Sequence, residues 1–248
     1  MGGILLLESD EEAARKQFSD FRAAWLEHLP EDVPLHSYDI RQGKGAYKWL
    51  RRHPDARTAF LGDIIKLVTT APILCTACVI DRAGYAARYF SKYDETKRWW
   101  LCKTAFSVLL ERTVKYVAPL GGSVRVYVER TDKHVDRAML SYYDELRTEG
   151  MPFDGTSMAG YKPLDKTAFA NTLYDFKKKD KTSPLMQLAD LCLYPVCNAG
   201  YDQTGRDYRS LIDSRKLIDQ ALPPEDVRTV GIKYSCFEAV VPKTAGAE

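Results

Sequence analysis

The amino-acid sequence predicts an α/β layered domain in which strands and helices alternate along the chain. Three stretches lead to this prediction. "PILCTACVID" (72–81) is a continuous apolar run, typical of a strand buried on both faces. Residues 11–28 carry apolar side chains at helical spacing, and "SVRVYVER" (123–130) alternates valine with polar residues as a half-buried strand does. The 248 residues are expected to form one domain, 1–248, with a C-terminal helix and strand (200–248) packed on it.

The first half of the chain is predicted to contain three helices and two short strands. In chain order these are a strand over 3–9, a helix over 11–28, a strand over 33–40, a short helix over 45–53 and a helix over 58–67. The long helix places Phe18, Phe21 and Trp25 on one face. Ser9 or Asp10 can cap its first turn.

The second half continues the alternation. After the strand over 72–81 it is predicted to contain a helix over 96–117, a strand over 123–130, a helix over 135–148, an edge strand over 171–178, a helix from Pro184, a helix over 208–221 and a last strand over 231–241. Gly121 and Gly122 close the helix over 96–117, just before the strand over 123–130. Val124, Val126 and Val128 should share one side of that strand.

Composition excludes several classes of protein and leaves others open. With 45% hydrophobic and 28% charged residues the chain resembles an ordinary soluble protein, and its net charge of +2 neither requires nor excludes a nucleic-acid partner. No apolar stretch approaches the roughly 18 residues of a membrane span, so a cytoplasmic protein is expected. Cys75 and Cys78 have metal-ligand spacing, but on a strand they face opposite sides, which disfavours zinc. Motifs of dinucleotide-binding, P-loop, esterase and zinc-protease sites are absent from the sequence.

The segment "SPLMQLADLCLY" (183–194) contains polar residues in an otherwise apolar helix. Ser183 and Pro184 form a favourable helix start, while Gln187 and Asp190 are three residues apart and share one face. A buried carboxylate is costly unless it is hydrogen-bonded, paired or bound to a cation. Asp190 therefore either bonds a backbone N–H or an arginine, or it lines a functional site beside Gln187.

Two further acids and two basic segments can likewise be interpreted either as structural features or as parts of a functional site. Asp81 opens "DRAG", a type I turn pattern, but it also follows a strand, where sites of α/β proteins form. Glu129 is either a solvated strand residue or a site acid. The segment 85–103 interleaves basic and aromatic residues, which suits either nucleic-acid contacts or a packed helix pair. "KKKDK" (177–181) is either a phosphate-binding strand end or a soluble turn.

"SPLMQLADLCLYPV" resembles the C-terminal QxxD signature of the bacterial Domain of Unknown Function 3800 family. Further similar landmarks, in the family's order, are "LHSYDIRQGKGAYKWL", "CTACVIDR", "VRVYVERTD" and "GIKYSCFE". The resemblance spans most of the chain and implies a ribonuclease-H-like mixed sheet with helices on both faces. It also implies a metal-dependent nuclease in which Asp190, Asp81 and Glu129 hold Mg²⁺ or Mn²⁺ and Gln187 orients a ligand or a water molecule. The alternative is a nucleic-acid-binding or protein-interaction module that keeps the fold without the chemistry.

One landmark of that family differs here. The family begins with a strand carrying Asp-Glu-Ser, whereas "MGGILLLES" looks like the family's second strand. We therefore expect the first strand to be missing, either because the start lies upstream or because this version has lost one acid. Two divalent ions about 3.5–4 Å apart can activate water and stabilise the leaving oxygen. Without one acid, one of the two ions would bind poorly.

Overall fold

The structure is a computed structural model, and it describes residues 1–90, 101–151 and 162–238. The chain divides into two compact units. Of the described residues, the first unit comprises 1–2, 76–90, 101–151, 162–179 and 221–238, and the second comprises 3–75 and 180–220. The single domain over 1–248 remains a prediction. In the described ranges, no helix combines the length and apolar character needed to cross a membrane.

The described elements are mostly helical. The strands are β1 (Gly2–Leu5), β2 (Leu74–Ile80), β3 (Val124–Glu129), β4 (Leu173–Lys179) and β5 (Lys233–Ser235). The α-helices are α1 (Glu11–Ala24), α2 (Ser37–Gln42), α3 (Pro54–Thr70), α4 (Arg82–Tyr89), α5 (Leu101–Val117), α6 (Lys133–Glu149), α7 (Lys166–Thr172), α8 (Pro184–Asn198), α9 (Arg206–Asp213) and α10 (Pro224–Val230). The 3₁₀ helices are Glu8–Asp10, Gly45–Arg51, Ala118–Leu120 and Ile218–Ala221. The protein is thus of the mixed α/β class, as predicted.

The first unit contains two parallel strand pairs. β2 runs parallel to β5, with Cys78 opposite Lys233, and Cys78 also exchanges backbone hydrogen bonds with Met1 beside β1. β3 runs parallel to β4 in a separate two-stranded sheet. One face of β3–β4 packs on a core contributed by α5, α6 and α7, in which Phe169 and Leu173 are fully buried. The valines of β3 share this face, as their alternation predicts.

The second unit is built mainly from helices. α8 packs against α1, α2 and α3, and α3 also packs against α9. The apolar face of α1 is buried through Ala14, Phe18 and Phe21, and the Phe21 ring lies 5.7 Å from that of Phe60. Leu188 of α8 is fully buried. Burial of these side chains supplies the main stabilising free energy of the unit, since it removes apolar surface from water.

Several element predictions need correction. The predicted strand over 33–40 is wrong, because residues 37–42 form α2 and the segment before it bonds to side chains instead of to a strand. The helix over 208–221 ends at Asp213 and resumes as a 3₁₀ turn. α7 and α10 were not predicted; each has only seven residues, too few for a helical period to be evident. The predicted segments 96–100 and 239–241 lie outside the described residues.

Candidate functional site

Gln187 and Asp190 lie on one face of α8 and bind the backbone of an extended segment that precedes α2. Gln187 Oε1 accepts a hydrogen bond from the Leu35 N–H at 2.6 Å, and its Nε2 donates to the Thr182 carbonyl at 2.9 Å. Asp190 Oδ2 accepts from the Ser37 N–H at 2.6 Å. The N–H groups of Leu35 and Ser37, two residues apart, are thus bonded by side chains of α8. The extended segment therefore needs no partner strand to satisfy these two groups.

The two oxygens of Asp190 have different surroundings. Oδ2 makes the bond to Ser37, as the structural interpretation of the sequence anticipates. Oδ1 has no hydrogen bond to any residue in the described part of the chain, and the side chain is half-buried. A carboxylate held by one oxygen can direct the other toward a cation or a water molecule. The backbone contact and a metal-binding role are therefore compatible.

Replacing Gln187 with leucine is expected to destabilise the protein by about 2 kcal/mol. The side chain is 6% exposed, and its loss leaves the buried Leu35 N–H without an acceptor. Urea unfolding of the variant measures this. Gln220→Leu offers a comparison, because the Gln220 side chain also accepts a backbone N–H but in a less buried position. A Gln187→Leu variant as stable as wild type would show that the Leu35 bond does not form.

Asp81 caps α4 at the end of β2. Its Oδ2 accepts from the Gly84 N–H at 2.6 Å, and its own N–H donates to the Ser235 carbonyl at 3.0 Å. The side chain is only 9% exposed. "DRAG" therefore begins a helix instead of forming the predicted type I turn: Asp81 is the N-cap of α4, and its side chain bonds the Gly84 N–H in the first helical turn. The carboxylate also lies at the carboxyl end of a strand in a parallel pair, where α/β sites form.

Glu129 ends β3 and is exposed. It lies opposite Lys179 of β4, on the outward face of the sheet that carries Arg125 and Tyr127. The alternation in the sequence correctly placed Glu129 on the side of β3 opposite the valines. The carboxylate is thus solvated, and it also marks the carboxyl end of a second parallel strand.

The outward face of β3–β4 combines cations with aromatic rings, and we call it the basic-aromatic face. Its residues are Arg125, Tyr127, Tyr174, Lys177 and Lys179. The Arg125 guanidinium lies 5.2 Å from the centre of the Tyr174 ring, and Lys179 Nζ lies 5.1 Å from that of Tyr127. Cation–π attraction of this kind, about 0.5–1 kcal/mol at exposed sites, favours a cation beside each ring. Both strands of this face were predicted from the sequence, β3 from the alternation in 123–130 and β4 from the edge strand over 171–178 with its lysines, but their register was not.

Asp175 lies among these cations. Its Oδ2 is 3.1 Å from both Lys177 Nζ and Arg125 Nε. The hydrogen bond from Lys177 is the main cause that lowers the pKa of Asp175, so the carboxylate stays charged in this position. Three cations therefore share two anions on the face, Asp175 and Glu129, and the balance is positive.

The turn that follows Glu129 is fixed by Asp136. Asp136 Oδ1 accepts from the Thr131 N–H at 3.0 Å, and its Oδ2 lies 3.3 Å from Lys178 Nζ. The bond from Thr131, followed by the charge and hydrogen bond of Lys178, lowers the pKa of Asp136 below its ordinary value of 3.8. The carboxylate thereby links α6 to the turn after β3 and to β4.

This lowered pKa predicts a loss of stability in acid. A carboxyl whose folded-state pKa is depressed stabilises the fold above its unfolded pKa, and the contribution disappears as the pH falls through the folded pKa. Wild type is therefore expected to lose more stability than Asp136→Asn between about pH 5 and pH 2.5. Urea unfolding across that range measures the difference. Parallel curves for the two proteins would contradict the assignment.

The sequence-predicted site residues fall into two groups. Gln187 and Asp190 belong to the second unit and share one backbone segment, while Asp81 and Glu129 belong to the first and end strands of different sheets. Within residues 1–90, 101–151 and 162–238, no group of three or more His, Cys, Asp or Glu side chains is arranged to hold a metal ion. Of the basic segment 85–103, residues 91–100 lie outside the described ranges.

In its described residues, this is a mixed α/β protein with two parallel strand pairs, β2–β5 and β3–β4. Gln187 and Asp190 of α8 bind the backbone of the segment that leads into α2. No family model matches the chain. No solved structure matches it either. The chain is 31% identical over 239 residues to "Uncharacterized protein y4pM" of Sinorhizobium fredii (strain NBRC 101917 / NGR234), an alignment that covers 96% of this chain and 85% of that protein. The chain belongs to the same protein family as y4pM.

Proposed function

We propose that this protein is a member of the Domain of Unknown Function 3800 family, with a ribonuclease-H-like fold, and that it is a cytoplasmic metal-dependent nuclease acting on DNA or RNA. One observation carries the proposal. Asp81 directly follows β2 and Glu129 ends β3, so an acid stands at the carboxyl end of one strand in each parallel pair. Ligand and metal sites of α/β proteins form at such strand ends. The QxxD helix adds a third carboxylate, Asp190.

The donor set suits a hard divalent cation. Asp81 and Glu129 in the first unit, and Asp190 in the second, each offer carboxylate oxygens of the kind that Mg²⁺ or Mn²⁺ prefers, and Asp190 Oδ1 has no hydrogen bond to a described residue. The ion would supply a water of lowered pKa and stabilise negative charge on the leaving oxygen. Gln187 uses both ends of its amide on backbone groups, so its role is to position α8 rather than to touch substrate.

A cleavage assay tests the proposal. Labelled single- and double-stranded DNA and RNA are incubated with the full chain in Mn²⁺, in Mg²⁺ and in excess EDTA. The expected result is cleavage of at least one substrate with metal, its loss in EDTA and its recovery on adding Mn²⁺. Cleavage that persists in EDTA, or no cleavage of any of the four substrates, would refute a metal-dependent nuclease.

Nucleic-acid binding without hydrolysis is the second candidate, and the basic-aromatic face favours it. Rings beside cations suit an unpaired strand of nucleic acid, whose bases can stack on the rings while its phosphates contact lysine and arginine. Tyr174 is 47% exposed, and the Lys177 side chain is 53% exposed. The face lies beside Glu129, so bound nucleic acid would also be adjacent to one proposed metal ligand.

Tyr127→Ala is expected to weaken binding of a single-stranded oligonucleotide by about tenfold, the effect of losing one base–aromatic stack. Fluorescence anisotropy at fixed salt gives the Kd. Tyr38→Ala is the control, because Tyr38 is a 54% exposed tyrosine outside the face. Equal weakening by the two variants would argue against a specific role of the face. Binding in Mn²⁺ without product would favour this candidate over the nuclease.

A further inference from the structure

A small cavity in the second unit is lined by three arginines. Its volume is about 140 Å³, and Arg41, Arg51 and Arg57 line it together with Gln42 and Gly43. These residues come from the end of α2, the 3₁₀ helix 45–51 and the first turn of α3. No acidic side chain occurs among the described residues that line the cavity. We call this cavity the arginine pocket.

Two of the guanidinium groups are held in place by their neighbours. Arg41 Nη2 lies 2.8 Å from Asp207 Oδ2, and its guanidinium stacks on the Tyr194 ring at 3.5 Å from the ring centre. Arg51 donates through Nη2 to the Gln42 carbonyl. These contacts reduce the rotamer freedom that the two side chains would lose when they bind a ligand.

Gly43 makes room for Arg51. Its φ of +52° is a left-handed conformation that glycine adopts without strain, and it ends α2. A Cβ at this position would lie 2.8 Å from Arg51 Cγ and 2.9 Å from its Nε. The backbone turn and the arginine packing therefore depend on the same residue.

Donors on Arg57 and Arg41 have no partner in the part of the chain that the structure describes. Arg57 is exposed, and its guanidinium makes no hydrogen bond or ion pair with a described residue. Arg41 Nε is buried and likewise has no hydrogen-bond partner in the described ranges. Three positive charges close together repel one another, and Asp207 offsets only one of them. A bound anion would relieve this repulsion and accept the unused N–H groups.

We propose that the arginine pocket binds a phosphate group. Phosphate carries close to two negative charges, and its oxygens can accept paired N–H donors from several guanidinium groups, whereas a carboxylate accepts one such pair. The volume is well below the roughly 300–1,000 Å³ of pockets that enclose whole small molecules, so the phosphate enters and the rest of the ligand stays outside. The proposal holds whether or not the protein is a nuclease.

Calorimetric titration with inorganic phosphate tests the site on the full chain. The titrations are made at constant ionic strength, because salt screens exposed charges. Wild type is expected to show saturable binding, and Arg57→Gln is expected to weaken it at least about tenfold through loss of a charge-assisted hydrogen bond. Arg52→Gln is the matched control, since Arg52 is the exposed neighbour of Arg51 and does not line the pocket. Unfolding curves of both variants establish that each is folded.

The outcomes separate a site from general electrostatic attraction. Absence of saturable phosphate binding would overturn the proposal, and so would equal weakening by Arg57→Gln and Arg52→Gln. Competition with 5′-phosphorylated and 5′-hydroxyl oligonucleotides of one sequence then identifies the source of the phosphate. Displacement by the phosphorylated strand alone supports a site for a nucleic-acid end. Displacement by neither strand, with phosphate binding intact, supports a site for a small phosphorylated molecule.

Discussion

An Asp190→Asn variant is expected to lose metal-dependent cleavage by about 10³-fold, since metal ions stabilise transition-state charge by several kcal/mol. Its free energy of unfolding should stay within roughly 1 kcal/mol of wild type, because the asparagine oxygen can still accept the Ser37 N–H. The two measurements separate chemistry from folding. Single-turnover cleavage in Mn²⁺ gives the first, and urea unfolding gives the second.

A matched carboxylate provides the control for this experiment. Asp213, at the end of α9, is exposed and belongs to the same unit, so Asp213→Asn removes one charge without touching α8. Cleavage by Asp213→Asn should equal that of wild type. If Asp190→Asn also cleaves at the wild-type rate, Asp190 serves only as the acceptor for Ser37 and another residue must hold the metal. If it unfolds instead, the charge itself is needed for the bond.

Local pattern predicted α8 well, but it did not identify the groups that α8 binds. The proline start and the apolar stripe are short-range features, and both are present in the structure. The partners of Gln187 and Asp190 lie 152 and 153 residues away in sequence. No spacing rule reaches that far. The same contacts explain why the strand predicted over 33–40 was wrong, since α8 side chains satisfy N–H groups that a neighbouring strand would otherwise bond.

The β3–β4 sheet and the arginine pocket show a second limit on prediction from the sequence, which is that local patterns do not give the register of strands or the convergence of loops. Alternation indicated which side of β3 faces the core, because a strand has a period of two. The register that sets Tyr127 opposite Lys177 depends on a bulge near Val124, which the sequence did not predict. The arginines of the pocket follow no helical or strand period at all. They converge because Gly43 turns the chain between two short helices, a tertiary consequence of one backbone angle.

Replacing Gly84 with alanine is expected to destabilise the protein by about 3 kcal/mol. Gly84 lies in the first turn of α4. A Cβ at this position would clash with the carbonyl oxygen of Cys236, because the two atoms would be much closer than van der Waals contact allows. The obstacle is backbone, so no side-chain rotation can relieve it. Cys236 already has a φ of +65°, a costly conformation for a residue other than glycine, and it is 2% exposed. Cys236 therefore has little freedom to move aside.

Gly62→Ala is the control for this substitution, and it should have the opposite sign. Gly62 lies inside α3 with no atom within 4 Å of a Cβ built on it, so alanine should stabilise the helix by roughly 0.5–1 kcal/mol. Urea unfolding measures both changes. Gly84 also donates its N–H to Asp81, so a shifted α4 would displace that carboxylate and lower any activity that depends on it. A Gly84→Ala protein as stable as Gly62→Ala would mean that α4 does not pack on the chain at Cys236, and the burial of Asp81 would then lose its structural basis.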